Sequence, residues 1–175
     1  MNPERAGRIP LLITAELPGG VLEWADALRR AHYPPDRNRL RAHVTLFHGL
    51  PPSAEDEIRR VLADLAKAPP PQARITGLMK LDGGTALAVE SPETVTLHGE
   101  IAARLHGLVP LHDAQALRLH ITIQNKVPLQ DARALQAQLG PTIAARSFRF
   151  KAFGLYGWDE GLWNPLREFP FRGGR

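Results

Sequence analysis

The feature that most constrains the fold of this chain is a short repeat, His43-Val44-Thr45 and His120-Ile121-Thr122, set among β-branched and apolar residues. Such residues favour strands, in which side chains two positions apart point to the same face. The histidine and threonine of each copy therefore share one face, while the apolar residue between them anchors the other. The repeat predicts two polar strand faces that can be brought together in one site.

The order of secondary structure around the repeat also occurs twice. Apolar alternation predicts strands, apolar spacing of three to four residues predicts helices, and Asp82-Gly83-Gly84 predicts a hairpin turn. We predict strands at 10–17, 42–47, 73–81, 85–90, 119–123, 146–156 and 166–171. We predict helices from residue 21, at 54–67 with Ser53 as the N-cap, at 92–108 and at 129–139.

These elements predict an α+β fold made of two related halves, at roughly residues 10–82 and 84–172. Because no clear linker separates the halves, we expect residues 1–175 to form a single domain. Two such halves would be related by a pseudo-twofold axis, with antiparallel sheets lining a central cleft and helices outside. The cleft would hold both His-x-Thr copies.

The composition narrows the chemistry. There is no cysteine, which excludes disulfides, thiolate nucleophiles and Cys-ligated zinc. The formal charge of +4 and the pI of about 10.0 would attract a polyanion without defining a nucleic-acid-binding protein. The first apolar run, at 11–15, is too short for a membrane helix and a poor match to a signal peptide. We expect a monomeric, cytoplasmic protein with no membrane partner.

Two imidazoles and two hydroxyls facing each other suit displacement at a phosphodiester. One imidazole can deprotonate the attacking oxygen and the other can protonate the departing one, since an unperturbed histidine pKa of about 6.5 makes both forms accessible near neutrality. The threonine hydroxyls can donate hydrogen bonds to nonbridging oxygens, which gain charge in the transition state. We expect no cofactor.

The paired motifs resemble those of the two-histidine (2H) phosphoesterase superfamily, specifically its 2′-5′ RNA ligase and RNA 2′,3′-cyclic phosphodiesterase (LigT-like) branch. The resemblance implies a metal-independent hydrolase in which His43 and His120 are catalytic and Thr45 and Thr122 bind a cyclic phosphate. Terminal 2′,3′-cyclic phosphate of RNA would be opened to a 2′-phosphomonoester, with weak reversible 2′-5′ ligation as a side activity. Which histidine is the acid stays open, and our working assignment takes His43 as acid and His120 as base.

Two alternatives to this function stay open. The superfamily also contains enzymes that act on small cyclic nucleotides or on 2′-5′ oligonucleotides, and a fold with its motif does not fix that choice. The positive charge also allows an RNA-binding module with little catalysis. A panel of cyclic substrates would separate these functions.

Several further residues are candidates for contact with RNA or for packing. Phe148, Phe150 and Phe153 could stack on bases, although core packing is the better interpretation of the first two. Trp158 and Trp163 flank a predicted turn and are expected to cover one end of the cleft without a functional role. The predicted contacts to RNA phosphates are Arg37, Arg39, Arg41, Lys126 and Arg149. For the first three, which lie in one loop before His43, a solvated surface is an equal alternative.

The other histidines are not expected to be functional. His48 lies five residues after His43, so a regular strand would point it to the opposite face. The rest do not have the spacing of a zinc site and are expected at the surface. They are His32, His98, His106 and His112.

Overall fold

The computed structural model describes residues 10–110, 113 and 116–174. The strands are β1 (Leu11–Glu16), β2 (His43–Leu50), β3 (Gln72–Leu81), β4 (Gly84–Glu90), β5 (His120–Gln124), β6 (Arg146–Arg149), β7 (Ala152–Asp159) and β8 (Leu162–Pro170). The α-helices are α1 (Gly19–His32), α2 (Glu55–Leu65), α3 (Pro92–Arg104) and α4 (Leu129–Leu139). Within the described ranges, each predicted helix and hairpin is present at or near its predicted position.

The strands form two four-stranded antiparallel sheets. The first has the order β2-β1-β7-β8 and the second the order β5-β4-β3-β6. Each motif strand, β2 or β5, is therefore an edge strand, and these two edges lie against each other. The fold thus places the two His-x-Thr copies where the sheets meet.

The two sheets do not coincide with the two halves of the sequence. Strand β3 pairs with β4 in the second sheet, whereas β7 pairs with β1 in the first. The halves therefore exchange strands, and this exchange ties the two sheets together through backbone hydrogen bonds. The repeat boundaries at 10–82 and 84–172 and the single domain over 1–175 stay predictions.

The predicted strand at 146–156 is wrong in one respect, because it is two strands in two different sheets. Phe150 and Lys151 form the crossing: the Phe150 N–H donates to the carbonyl of Pro71, and the Lys151 N–H donates to that of Glu16, both at 3.0 Å. Phe148, Phe150 and Phe153, which lie within or next to the crossing, are all buried. Their burial confirms core packing for Phe148 and Phe150 and excludes Phe153 from base stacking.

The helix termini also correct one prediction. Ser53 lies within a short 3₁₀ turn, Pro52–Ala54, and α2 begins after it with no side-chain cap. The serine that does cap a helix is Ser91, whose hydroxyl accepts a hydrogen bond from the Thr94 N–H at 3.3 Å at the start of α3. Helix α3 ends at Arg104, shortly before Gly107 takes a φ of 81°.

The core lies between the helices and the outer faces of the sheets. In β1, the odd-numbered residues Leu11, Ile13 and Ala15 join this core, as do Ile58 and Leu62 of α2. The even-numbered side of β1 faces the other way, toward the side that carries His43 and Thr45. In the part of the chain that the structure describes, none of the helices has the length and apolar character to span a bilayer.

Candidate active site

Each motif opens a strand in the same way. His43 is the first residue of β2 and His120 the first of β5, and both are half-buried, as are Thr45 and Thr122. The intervening Val44 and Ile121 are fully buried. The structure thus gives both copies the arrangement predicted from the period of a strand, with a polar face over an apolar anchor.

Both imidazoles are held by the same backbone contact. The Nδ1 of His43 lies 2.7 Å from the carbonyl oxygen of Arg41, and the Nδ1 of His120 lies 2.7 Å from that of Arg118. A carbonyl only accepts hydrogen bonds, so each Nδ1 carries the proton. Each Nε2 is then the nitrogen that can take up or release a proton during a reaction.

The electrostatic environment of His43 is distinctive. The pKa of His43 falls to about 4, mainly because burial disfavours the charged imidazolium. The positive charges of Arg29 and His120 act in the same direction, and the hydrogen bond to the Arg41 carbonyl opposes them. His43 is therefore neutral near pH 7, with a lone pair on Nε2.

Arg29 is a site residue that the sequence analysis missed. It lies on α1, is only 4% exposed, and its Nη1 donates to the carbonyl oxygen of Thr122 at 2.7 Å. Its Nε donates to Asn38 Oδ1 at 3.2 Å, and its guanidinium lies over the ring of Tyr33 at 4.3 Å. Nothing in the sequence separates it from its neighbour Arg30, because its burial depends on β5, far along the chain.

A cavity of about 410 Å³ opens at the meeting point of the two sheets. Its walls bring together both halves of the chain, the loop between α1 and β2, and the turn between β7 and β8. The side chains on these walls include Arg29, Asp36, Arg37, Arg39, His43, Thr45, His48, Thr122, Lys126, Trp158 and Trp163. His120 lies two residues before Thr122 on the same strand face.

The predicted RNA-contact residues do not all reach this cavity. Arg37, Arg39 and Lys126 line it. Arg41 instead lies outside it, where its Nε is 3.6 Å from Asp26. Arg149 lines a separate hollow of about 540 Å³ with Arg74 and Glu90, and donates to the Pro70 carbonyl at 3.3 Å.

The expectation for His48 is wrong, because β2 is not regular. Thr45 is opposite Thr14 and Phe47 is opposite Ile13, so a step of one residue along β1 corresponds to a step of two residues along β2. This irregularity has the character of a β-bulge, which reverses the alternation of faces beyond it. His48 consequently lines the cavity on the side of His43 and Thr45.

The β7–β8 hairpin brings two tryptophans to one end of the cavity, as expected. Trp158 and Trp163 are opposite each other in the ladder and pack edge to face, with ring centroids 5.1 Å apart. Trp163 also approaches the His48 ring at 6.1 Å. Because Trp158 remains 38% exposed, the pair presents an aromatic surface to the cavity.

A family model extends over most of the chain. The model of the 2′-5′ RNA ligase superfamily matches residues 17–162, a range that includes both motifs. The chain belongs to the 2′-5′ RNA ligase superfamily. A comparison with curated protein sequences found no match.

Solved structures share the fold of this chain. TT0787 of Thermus thermophilus is 17% identical, with a TM-score of 0.66 over 95% of this chain and 100% of that chain. E. coli LigT in complex with NADP+ is 16% identical, with a TM-score of 0.60 over 94% of this chain and 98% of that chain. E. coli LigT in complex with 3′-AMP is 18% identical, with a TM-score of 0.51 over 93% and 97%. The predicted LigT-like α+β fold is confirmed.

The remaining histidines of this 2′-5′ RNA ligase superfamily member were expected at the surface, without the spacing of a zinc site. Among the residues that the structure describes, no group of three or more histidines and carboxylates lies together. His98 is not at the surface as expected: it is buried and stacks on Phe47, with ring centroids 4.3 Å apart, and burial lowers its pKa. His112 lies outside the described residues.

Proposed function

We propose that this protein is a metal-independent phosphodiesterase that opens terminal 2′,3′-cyclic phosphates of RNA to 2′-phosphomonoesters. The observation that carries the proposal is the matched pair of imidazoles, each with Nδ1–H fixed on a carbonyl and Nε2 left for proton transfer. General acid and base catalysis by two such groups is sufficient for this displacement. Membership of the superfamily supports phosphoester chemistry.

The charge distribution supports a definite order of proton transfer. Because His43 is neutral near pH 7, we assign it as the base, which reverses the working assignment. Its Nε2 takes a proton from water as the water oxygen bonds to phosphorus. The bond from phosphorus to the ribose 3′ oxygen breaks, and His120 Nε2 gives its proton to that oxygen. Thr45 and Thr122 donate hydrogen bonds to the nonbridging oxygens.

The walls of the cavity support a nucleic-acid substrate. Asp36 also lines the cavity and pairs with Arg37 at 3.9 Å, but Arg39 and Lys126 still add positive charge beyond that needed for the single negative charge of a cyclic phosphate, so neighbouring phosphates of an RNA chain can be bound. Trp158 and Trp163 offer a surface on which a base can stack. E. coli LigT has been solved with NADP+, ATP and 3′-AMP, which supports a nucleotide ligand in the same fold.

A short RNA ending in a 2′,3′-cyclic phosphate tests the proposal. The protein is incubated with this RNA in EDTA, and the products are separated by chromatography against 2′- and 3′-phosphate standards. We expect a 2′-phosphate product, with activity lost in His43→Ala and His120→Ala. No conversion by the wild-type protein, or conversion unchanged in both variants, would falsify the proposal.

A panel of substrates separates the alternative functions. Cyclic mononucleotides turned over faster than the RNA would favour a small-nucleotide enzyme, and cleavage of 2′-5′ oligonucleotides would favour that substrate. Tight RNA binding without turnover, retained in both alanine variants, would favour an RNA-binding module, which the cationic walls also fit. Ligation of a 5′-hydroxyl end is expected to be minor in water. We propose a monomer acting in the cytoplasm.

A further inference from the structure

Arg29 is a buried cation that forms no ion pair with a carboxylate among the residues that the structure describes. The nearest acid on its helix, Asp26, acts on Arg29 through its charge, but the oxygens of that carboxylate bond to other groups. Asp26 forms ion pairs with Arg30 at 3.1 Å and Arg41 at 3.6 Å, and it accepts the Ala42 N–H at 3.0 Å. Burial lowers the pKa of Arg29, although a guanidinium stays charged at neutral pH. An unneutralised buried charge is costly to a fold.

The contacts of Arg29 orient its guanidinium without occupying it. Asn38 and the Thr122 carbonyl accept two of its N–H groups, and Tyr33 covers one face of its plane. A guanidinium has five N–H donors in a planar fork, so further donors remain for a ligand. Arg29 also lines the cavity that holds His43, Thr45 and Thr122.

We propose that Arg29 binds a nonbridging oxygen of the substrate phosphate, joining the two His-x-Thr motifs as a third phosphate-binding element. The inference rests on the proposed function, since it concerns the phosphate of that same site. The negative charge of the phosphate neutralises the buried guanidinium, which explains why the fold keeps a cation at this position. The bond to Thr122 holds Arg29 against the second motif, while its charge acts on His43 of the first.

A purely structural role does not require the positive charge. Tying α1 to the carbonyl of β5 needs only a neutral N–H donor, which a glutamine side chain supplies without the cost of burying a charge. Asn38 and Thr122 both accept hydrogen bonds, and neither is an anion. The charge itself is therefore the part of Arg29 that points to an anionic ligand.

The test compares phosphate binding in three variants that change one residue of α1. Arg29→Gln removes the charge but keeps an N–H donor, and Arg29→Lys keeps the charge but loses the fork. Arg30→Gln is the matched control, because Arg30 is an exposed neighbour with the same charge on the same helix. Binding of inorganic phosphate and of a 2′-phosphomonoester is measured by isothermal titration calorimetry at pH 7 and constant ionic strength.

We expect Arg29→Gln to bind both ligands at least about tenfold more weakly, as when a hydrogen bond to a charged group is lost. Arg29→Lys should be intermediate, and Arg30→Gln should bind as the wild type does. Wild-type affinity in Arg29→Gln would overturn the proposal. If that variant does not fold, as judged by circular dichroism, inorganic phosphate is titrated into the ¹⁵N-labelled wild type instead, and guanidinium NMR resonances of Arg29 that do not respond to phosphate would overturn the proposal.

A second measurement reports on the charge alone. Because the charge of Arg29 lowers the pKa of His43, the pKa of His43 followed by NMR should rise in Arg29→Gln and not in Arg30→Gln. The two proposals fail separately. Weakened phosphate binding in Arg29→Gln, with no turnover by the wild type, would retain Arg29 as an anion site and reject the enzyme. Turnover with unaltered phosphate binding would do the reverse.

Discussion

The two His-x-Thr motifs have the same local geometry and different surroundings. In both, a histidine opens an edge strand and its Nδ1 lies 2.7 Å from the carbonyl two residues earlier. After the threonine, both motif strands have the same irregularity, two residues opposite one of the neighbouring strand, but β2 continues for several residues beyond it and carries His48 into the cavity. The second ends at Gln124, which turns inward and accepts a hydrogen bond from Thr85 at 3.0 Å.

The difference between the motifs extends to charge. Arg29 acts on the first motif through its field at His43 and on the second through a hydrogen bond to the Thr122 backbone. A repeated tripeptide thus supplies the same reactive atoms twice, while the surroundings of the first copy lower the pKa of His43. In the proposed mechanism, duplication provides the pair of imidazoles, and the burial and charge around His43 are the basis for assigning it as the base.

The largest expected effect comes from removing each histidine. His43→Ala and His120→Ala should each lower kcat on the cyclic phosphate by about 10² to 10⁴, the usual contribution of a positioned acid or base. The variants should differ on a nucleoside 4-nitrophenyl phosphodiester, whose leaving group needs no proton. There His120→Ala should recover much of the rate, and His43→Ala should not. Steady-state kinetics by nitrophenolate release measures both.

A matched control for these variants is His106→Ala, since His106 is exposed and away from the cavity. It should retain wild-type rates on both substrates. Recovery in His43→Ala instead of His120→Ala would restore the opposite assignment of acid and base. Equal recovery in both would mean that the asymmetry between the motifs has no role in proton transfer.

The threonines test whether both motifs hold the phosphate. Thr45→Val and Thr122→Val keep the shape of the side chain and remove its hydroxyl. Each should lower kcat by about 10- to 100-fold with a smaller change in KM, because the lost hydrogen bond strengthens in the transition state. Thr96→Val, on the exposed face of α3, is the control. If one of the two threonine variants had wild-type kinetics, the phosphate would be held by the other motif alone.

The cations on the cavity walls test which motif the RNA chain follows. The double variant Arg37→Gln and Arg39→Gln removes charge beside the first motif, and Lys126→Gln removes it beside the second. Each should raise KM for an oligonucleotide several-fold. Each should also reduce the slope of log binding constant against log salt concentration by about one for each RNA phosphate that the variant no longer binds. Kinetics and binding across a salt series measure this, with Arg133→Gln on α4 as the control.

The same salt series tests whether RNA contacts Arg41 and Arg149, the predicted contacts that lie outside the cavity. A reduced salt slope in Arg41→Gln or Arg149→Gln would extend the RNA path beyond the cavity walls. Unchanged slopes would confine the path to the region between the motifs. A cyclic mononucleotide, with no neighbouring phosphates, should be nearly insensitive to all of these changes.

Local sequence patterns predicted the parts of the site that depend on local structure. Strand periodicity placed His43 with Thr45, and helical spacing located α4 at Leu129–Leu139. Features set by distant pairing were missed. His48 reaches the cavity through the mismatch between β2 and β1, and the burial of Arg29 depends on Thr122. The sequence did not reveal the crossing at Phe150 and Lys151, because apolar residues continue from β6 into β7.

The smallest expected effect concerns pH: kcat/KM should stay nearly constant between pH 7 and pH 5.5. A base works in its unprotonated form, and the acid limb of kcat/KM reports its pKa in the free enzyme. A histidine of ordinary pKa, about 6.5, would lose about tenfold in activity by pH 5.5. Because the pKa of His43 is about 4, kcat/KM should hold to pH 5.5 and fall only near pH 4. Rates in buffers of constant ionic strength measure the limb, and circular dichroism checks folding at each pH. An inflection near 6.5 would mean that the base has an ordinary pKa and that His43, whose pKa is lowered, is not that base, so the assignment of the base to the first motif would fall.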